Sequence, residues 1–174
     1  HTANRRQRQM CIRDRQPGHS SDKPGLRRIQ SPEEVSNLFA NTMRNAATVD
    51  FCAELIGPSI RFHHGKVNSK LPGTATQVKW HQDFPFEPMT NDDMITALLF
   101  VDDVTLENGP LEVIPKSHQG PLYPHWHDGI FTGAIDERII EPQRDKIMKC
   151  TGSAGAVCFC LLYTSPSPRD SIRS

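Results

Sequence analysis

His81 and Asp83, two residues apart in Val78-Lys79-Trp80-His81-Gln82-Asp83-Phe84-Pro85-Phe86, are the residues of this chain best suited to chemistry. On a strand, side chains repeat every two residues, so H-x-D would send both to one face. An imidazole nitrogen and a carboxylate oxygen converging there suit a divalent metal. With a second histidine from a distant strand they would form the 2-His-1-carboxylate set that leaves three coordination positions open. The triplet alone is common, and it describes an ordinary strand with two polar side chains equally well.

The elements around it set what can position the pair. Ser31-Pro32-Glu33-Glu34 predicts a helix start, with Ser as N-cap, Pro at the first position and Glu closing a capping box. Val35, Leu38, Phe39 and Met43 follow at helical spacing. Phe51, Cys52, Leu55 and Ile56 predict a second helix, which Gly57-Pro58 stops. Strand signals then take over at 59–70, 77–83, 95–101, 111–114 and 155–159. Asn108-Gly109 reads as a hairpin turn between two of them. Helices first, then short strands with Pro and Gly turns, predict a mainly β fold with N-terminal helices, a sandwich or jelly roll.

Composition narrows the partners. Twenty basic and twenty acidic residues cancel, which gives no electrostatic footprint for nucleic acid or an anionic membrane. No run approaches the roughly 18 apolar residues that span a bilayer, and H-T-A-N-R-R-Q-R-Q-M leads into no signal-peptide core. Five cysteines (Cys11, Cys52, Cys150, Cys158, Cys160) without a C-x-x-C pair argue for reduced thiols and a cytoplasmic location. The length suits one domain. The ends differ from the rest. Residues 1–15 carry five arginines, and 160–174 turn abruptly to Ser, Pro and Arg. C-L-L-Y-T-S-P-S-P-R-D resembles translated sequencing-adaptor read-through, with R-Q-M-C-I-R-D-R as its counterpart. Both ends therefore read as foreign or disordered, around a domain at 16–159.

Two longer segments sharpen the chemistry. W-H-Q-D-F-P-F is followed downstream by Glu107-Asn108-Gly109-Pro110-Leu111 and Ile114-Pro115-Lys116-Ser117-His118. Together they resemble the phytanoyl-CoA dioxygenase family, whose pattern is H-Q-D and then E-N-G-x-L-x-x-I-P-G-S-H. The resemblance implies a double-stranded β-helix (jelly roll, cupin-like), Fe(II) held by His81 and Asp83, 2-oxoglutarate as co-substrate, O2 and a small-molecule substrate. It places a 2-oxoglutarate carboxylate at Lys70 in V-N-S-K-L-P-G and, four residues earlier, at Lys66. Leu98 falls where the family lines the co-substrate with an aromatic residue. One of His63 and His64 should face the cavity by alternation, with His64 as a substrate contact, and Trp126 borders a substrate mouth. His118 should brace a turn; His125 and His127, in P-H-W-H-D, read as ordinary loop residues. Asp83 favours hydroxylation, since related halogenases carry a small residue there.

The family's second metal histidine follows a G-x-A-x-x-F strand, and an arginine for the far carboxylate comes about ten residues later. Gly152–Phe159 matches the strand, but no histidine follows His127. The barrel is thus expected to be incomplete at its C-terminus and this chain inactive. The alternative is a non-catalytic jelly-roll module that binds a small molecule in the same cavity. An L-L-H-G-S-like continuation would separate the two.

Overall fold

The computed structural model describes residues 19–22, 25, 27–70, 78–88 and 93–161. They fall in two units, His1–Val78 and Lys79–Ser174. Of the expected tails, 1–15 and 162–174 lie outside the described residues. Cys160 and Leu161 do not belong to a tail, because they continue a strand.

In the first unit, β1 (Arg28–Gln30) pairs antiparallel with β2 (Lys66–Asn68), with Ile29 opposite Val67. The long strand expected at 59–70 shrinks to these three residues of β2. The ladder runs on through the Ser31 amide, which donates to the Gly65 carbonyl at 3.0 Å. That bond explains why the predicted capping box fails. Ser31 is left-handed, at φ 47°, and its hydroxyl caps nothing; an N-cap needs an extended backbone to aim its oxygen at the next amides. Pro32–Glu34 makes a single 3-10 turn, and helix α1 starts only at Asn37, spanning Asn37–Met43. Helix α2 (Ala46–Ile56) conforms to expectation. Asn45 Oδ1 accepts from the amides of Ala47 and Thr48 at 3.1 and 3.4 Å, and Gly57, at φ 102°, ends it.

The second unit is a folded antiparallel ribbon. Strand β3 (Ile95–Leu99) pairs with β8 (Val157–Leu161), from Ile95↔Leu161 to Leu99↔Val157. A bridge between Val104 and Gly152 carries on the same register. Then β4 (Leu111–Val113) pairs with β7 (Met148–Cys150), and β5 (Trp126–His127) with β6 (Ile130–Phe131). The outgoing strands β3, β4 and β5 thus meet the returning β8, β7 and β6 in nested order. The turn that reverses the ribbon is Asp128-Gly129, both with positive φ (50° and 76°), the two-residue geometry that matches strand twist. Asn108-Gly109 is therefore not a hairpin turn. It lies in a loop on the outgoing arm, where Asn108 accepts from the Thr105 amide at 2.9 Å and donates to the Asp103 carbonyl at 2.7 Å. Helix α3 (Glu137–Ile140) is N-capped by Asp136, which accepts from the Arg138 amide at 2.9 Å. Among the described residues of this unit, Ile140, Ala134 and His125 are the buried side chains. Among the described residues strands pair only two by two, without closing a barrel, and no helix is long and apolar enough to cross a membrane.

Candidate metal centre

No strand carries the H-x-D segment. Residues 78–82 are irregular, and Asp83 (φ −74°, ψ −30°) leads into a 3-10 turn, Phe84–Phe86, with Pro85 inside it. The strand expected at 77–83 does not form over 78–83, because the backbone polar groups there bond to loop partners instead of a ladder. Ile135 donates its amide to the Trp80 carbonyl at 2.8 Å. The Gln82 amide donates to Nε2 of His125 at 2.9 Å. Phe86 closes the turn onto the Asp83 carbonyl at 3.0 Å.

His81 and Asp83 nevertheless meet. His81 Nε2 lies 3.1 Å from Asp83 Oδ1, with both side chains partly open to solvent. The other imidazole nitrogen, Nδ1, is 2.7 Å from the Lys79 carbonyl. A carbonyl oxygen only accepts, so Nδ1 carries a proton, and Nε2 is the nitrogen turned to the carboxylate, either to donate a second proton to it or to offer a lone pair beside it. Metal-bound histidines are oriented in the same manner, by a backbone carbonyl on the far nitrogen. Two ligands at right angles, each about 2.0–2.2 Å from one ion, would stand roughly 3 Å apart. The observed separation fits a cis pair of metal ligands.

Around the pair runs a chain of rings. Phe86 stands edge-on to His81, His125 and Phe131, at centroid distances of 5.7, 5.9 and 5.2 Å. Phe131 in turn meets Trp126 at 5.3 Å. Trp126 is 61% exposed and lines an open groove of about 470 Å³ with Pro124, His127, Asp136, Arg138 and Ile139.

Leu98 sits on β3 opposite Cys158, on the ribbon face that also carries Thr96 and Cys160. Burial raises the Cys160 thiol pKa, and the Asp83 carboxylate adds to the rise. Cys158 and Cys160 approach to 3.9 Å between sulfurs, along one strand.

The remaining expected residues belong to the first unit. Lys66 lies at the start of β2, opposite Gln30, and is exposed; Lys70 follows the strand and is also exposed. His64 is exposed too, on irregular backbone, with its Nδ1 2.7 Å from that of His63.

Sequence reasoning missed Gln82 and His125. The Gln82 side chain donates to the Pro121 carbonyl at 3.1 Å and accepts from the Tyr123 amide at 2.8 Å. His125 is 1% exposed, not an ordinary loop residue. Its Nδ1 lies 2.8 Å from the Tyr123 carbonyl, and burial lowers its pKa. The available signal was alternation in His125-Trp126-His127, where a solvent-facing tryptophan sends both histidines inward.

The phytanoyl-CoA dioxygenase (PhyH) family model matches residues 4–163. The chain is 34% identical over 138 residues to a probable alpha-ketoglutarate-dependent hypophosphite dioxygenase of Stutzerimonas stutzeri, covering 76% of this chain and 47% of that protein. It is 36% identical over 100 residues to L-proline trans-4-hydroxylase of Streptomyces griseoviridis, 55% of this chain and 37% of the relative. It is 32% identical over 84 residues to peroxisomal phytanoyl-CoA dioxygenase of Bos taurus, 42% and 24% of the two chains. The chain thus spans less than half the length of these curated relatives.

Proposed function

The chain belongs to the phytanoyl-CoA dioxygenase family, and we propose that it carries the metal-binding core of an Fe(II)- and 2-oxoglutarate-dependent dioxygenase that hydroxylates a C–H bond of a small organic substrate. One observation carries this reading above the others: His81 Nε2 and Asp83 Oδ1 converge to 3.1 Å, with Nδ1 committed to the Lys79 carbonyl. A proton on Nε2 holds the two atoms together as an ion pair, and a cation in its place would take both as ligands. A hard-to-borderline cation such as Fe(II) suits one imidazole and one carboxylate.

His81 and Asp83 would hold the ion. With 2-oxoglutarate and O2 bound as well, such an ion supplies oxidising power for C–H hydroxylation while 2-oxoglutarate becomes succinate and carbon dioxide. Lys70, with Lys66 as a weaker second, would neutralise a carboxylate of 2-oxoglutarate. Leu98 would line the co-substrate cavity. Trp126 and His64 would meet the substrate, Trp126 from its open groove. The nested ribbon β3–β8, β4–β7, β5–β6 supports a jelly roll, since wrapping such a ribbon builds that fold. The four described cysteines are free thiols, which suits a reducing compartment such as the cytoplasm.

Two protein ligands hold Fe(II) less tightly than three, and no histidine follows His127. These 174 residues alone should therefore turn over poorly. The test measures succinate with Fe(II), 2-oxoglutarate and O2, for this chain and for one in which a histidine- and arginine-bearing segment replaces 162–174. The extended chain should release succinate and its Asp83→Ala variant should not. Equal release by this chain and the extended one would overturn the two-ligand account.

A further inference from the structure

We infer that His125 is a positioning residue for the His81–Asp83 pair, acting through the backbone of Gln82; the inference rests on the metal reading of that pair. Gln82 is the single residue between the two ligands, so whatever fixes its peptide groups fixes where both side chains start. Its amide donates to His125 Nε2 at 2.9 Å. Because Nδ1 of His125 faces the Tyr123 carbonyl at 2.8 Å, that nitrogen carries the proton. Only the neutral ring protonated there satisfies both bonds.

The ring itself has little freedom. It is 1% exposed, the Phe86 edge packs against it, and its own carbonyl accepts from the Thr132 amide at 2.9 Å and hydroxyl at 3.2 Å. The same loop grips the Gln82 side chain through the Pro121 carbonyl and the Tyr123 amide. Three hydrogen bonds from 121–125 thus converge on one residue of an irregular segment that has no ladder to hold it. Outer-shell groups of this kind typically change metal affinity about 10- to 100-fold when removed.

The test uses the 174-residue chain with Mn(II) as probe, free Mn(II) being counted from its electron paramagnetic resonance signal. Hydrogen exchange at the Gln82 amide is followed in parallel. His125→Phe removes both ring nitrogens; His125→Asn keeps a donor for Tyr123 but cannot reach Gln82. His125→Gln can serve both partners. In Phe and Asn variants the Gln82 amide should lose protection and Mn(II) should bind about tenfold or more weakly, with Gln recovering part of each. If His125→Phe does not fold, His125→Asn decides in the same way. Wild-type Mn(II) affinity in Phe or Asn variants, beside a weakened Asp83→Ala, would overturn the role of His125 and leave the metal reading standing. Equal Mn(II) binding by wild type and Asp83→Ala would overturn both.

Discussion

Gly133 approaches the ring of Phe86 so closely that a methyl group on it would sit 2.8 Å from Cζ. The same ring stands edge-on to His81 and His125, so the space left by the missing side chain sets where the aromatic wall of the site lies. Gly133 also has φ +63°, where an L-residue pays about 1–2 kcal/mol. Gly133→Ala should lose at least about that much stability and push the Phe86 ring off His81. Urea unfolding and the His81 ring proton shifts check both. A neutral substitution would contradict the close approach.

Lys116 presents the opposite case. The family pattern I-P-G-S-H has glycine where this chain has lysine, and Lys116 is left-handed at φ 63°. Lys116→Gly should relieve that strain and, after the entropy cost of glycine, stabilise by about 0.5–1 kcal/mol. A lower unfolding midpoint would show that the lysine side chain makes a compensating contact.

These two positions indicate what was legible beforehand. Local features were plain: the approach of His81 to Asp83, the helix α2 and its glycine stop. The partners of strands were not, because β3 and β8 are joined by a register more than fifty residues apart in sequence, which no local pattern encodes. Asn108-Gly109 has the signature of a hairpin, yet its flanking strands pair elsewhere. Ser31 has the signature of a cap, yet its amide is taken by Gly65. His125 looked bland since burial comes from tertiary packing.

Acidification should act through His125. Burial is the main reason its pKa lies below the usual 6.5, reinforced by His81 and His127 and opposed by the Tyr123 carbonyl. The folded state therefore favours the neutral ring, and the unfolded chain binds the proton first as pH falls. The stability this ring contributes is present above about pH 6.5 and is lost as pH drops below it. The melting-temperature difference between wild type and His125→Phe should shrink from about pH 7.5 to about pH 5. A constant difference would contradict a neutral, hydrogen-bonded ring.

Lys70→Ala separates co-substrate from metal. In a longer, active chain it should raise the 2-oxoglutarate concentration needed for half-maximal succinate release, with Fe(II) affinity nearly unchanged; Lys66→Ala should do the same more weakly. An unchanged 2-oxoglutarate requirement would remove Lys70 from the site.

The most direct measurement is an anaerobic Fe(II) titration of the chain beside its His81→Ala and Asp83→Ala variants, with circular dichroism confirming that all three are folded. Each variant should bind Fe(II) more weakly by at least the roughly tenfold that loss of a mere outer-shell partner costs. Equal Fe(II) affinity in all three chains would mean that the 3.1 Å pair is a surface ion pair and that no metal centre is built on it.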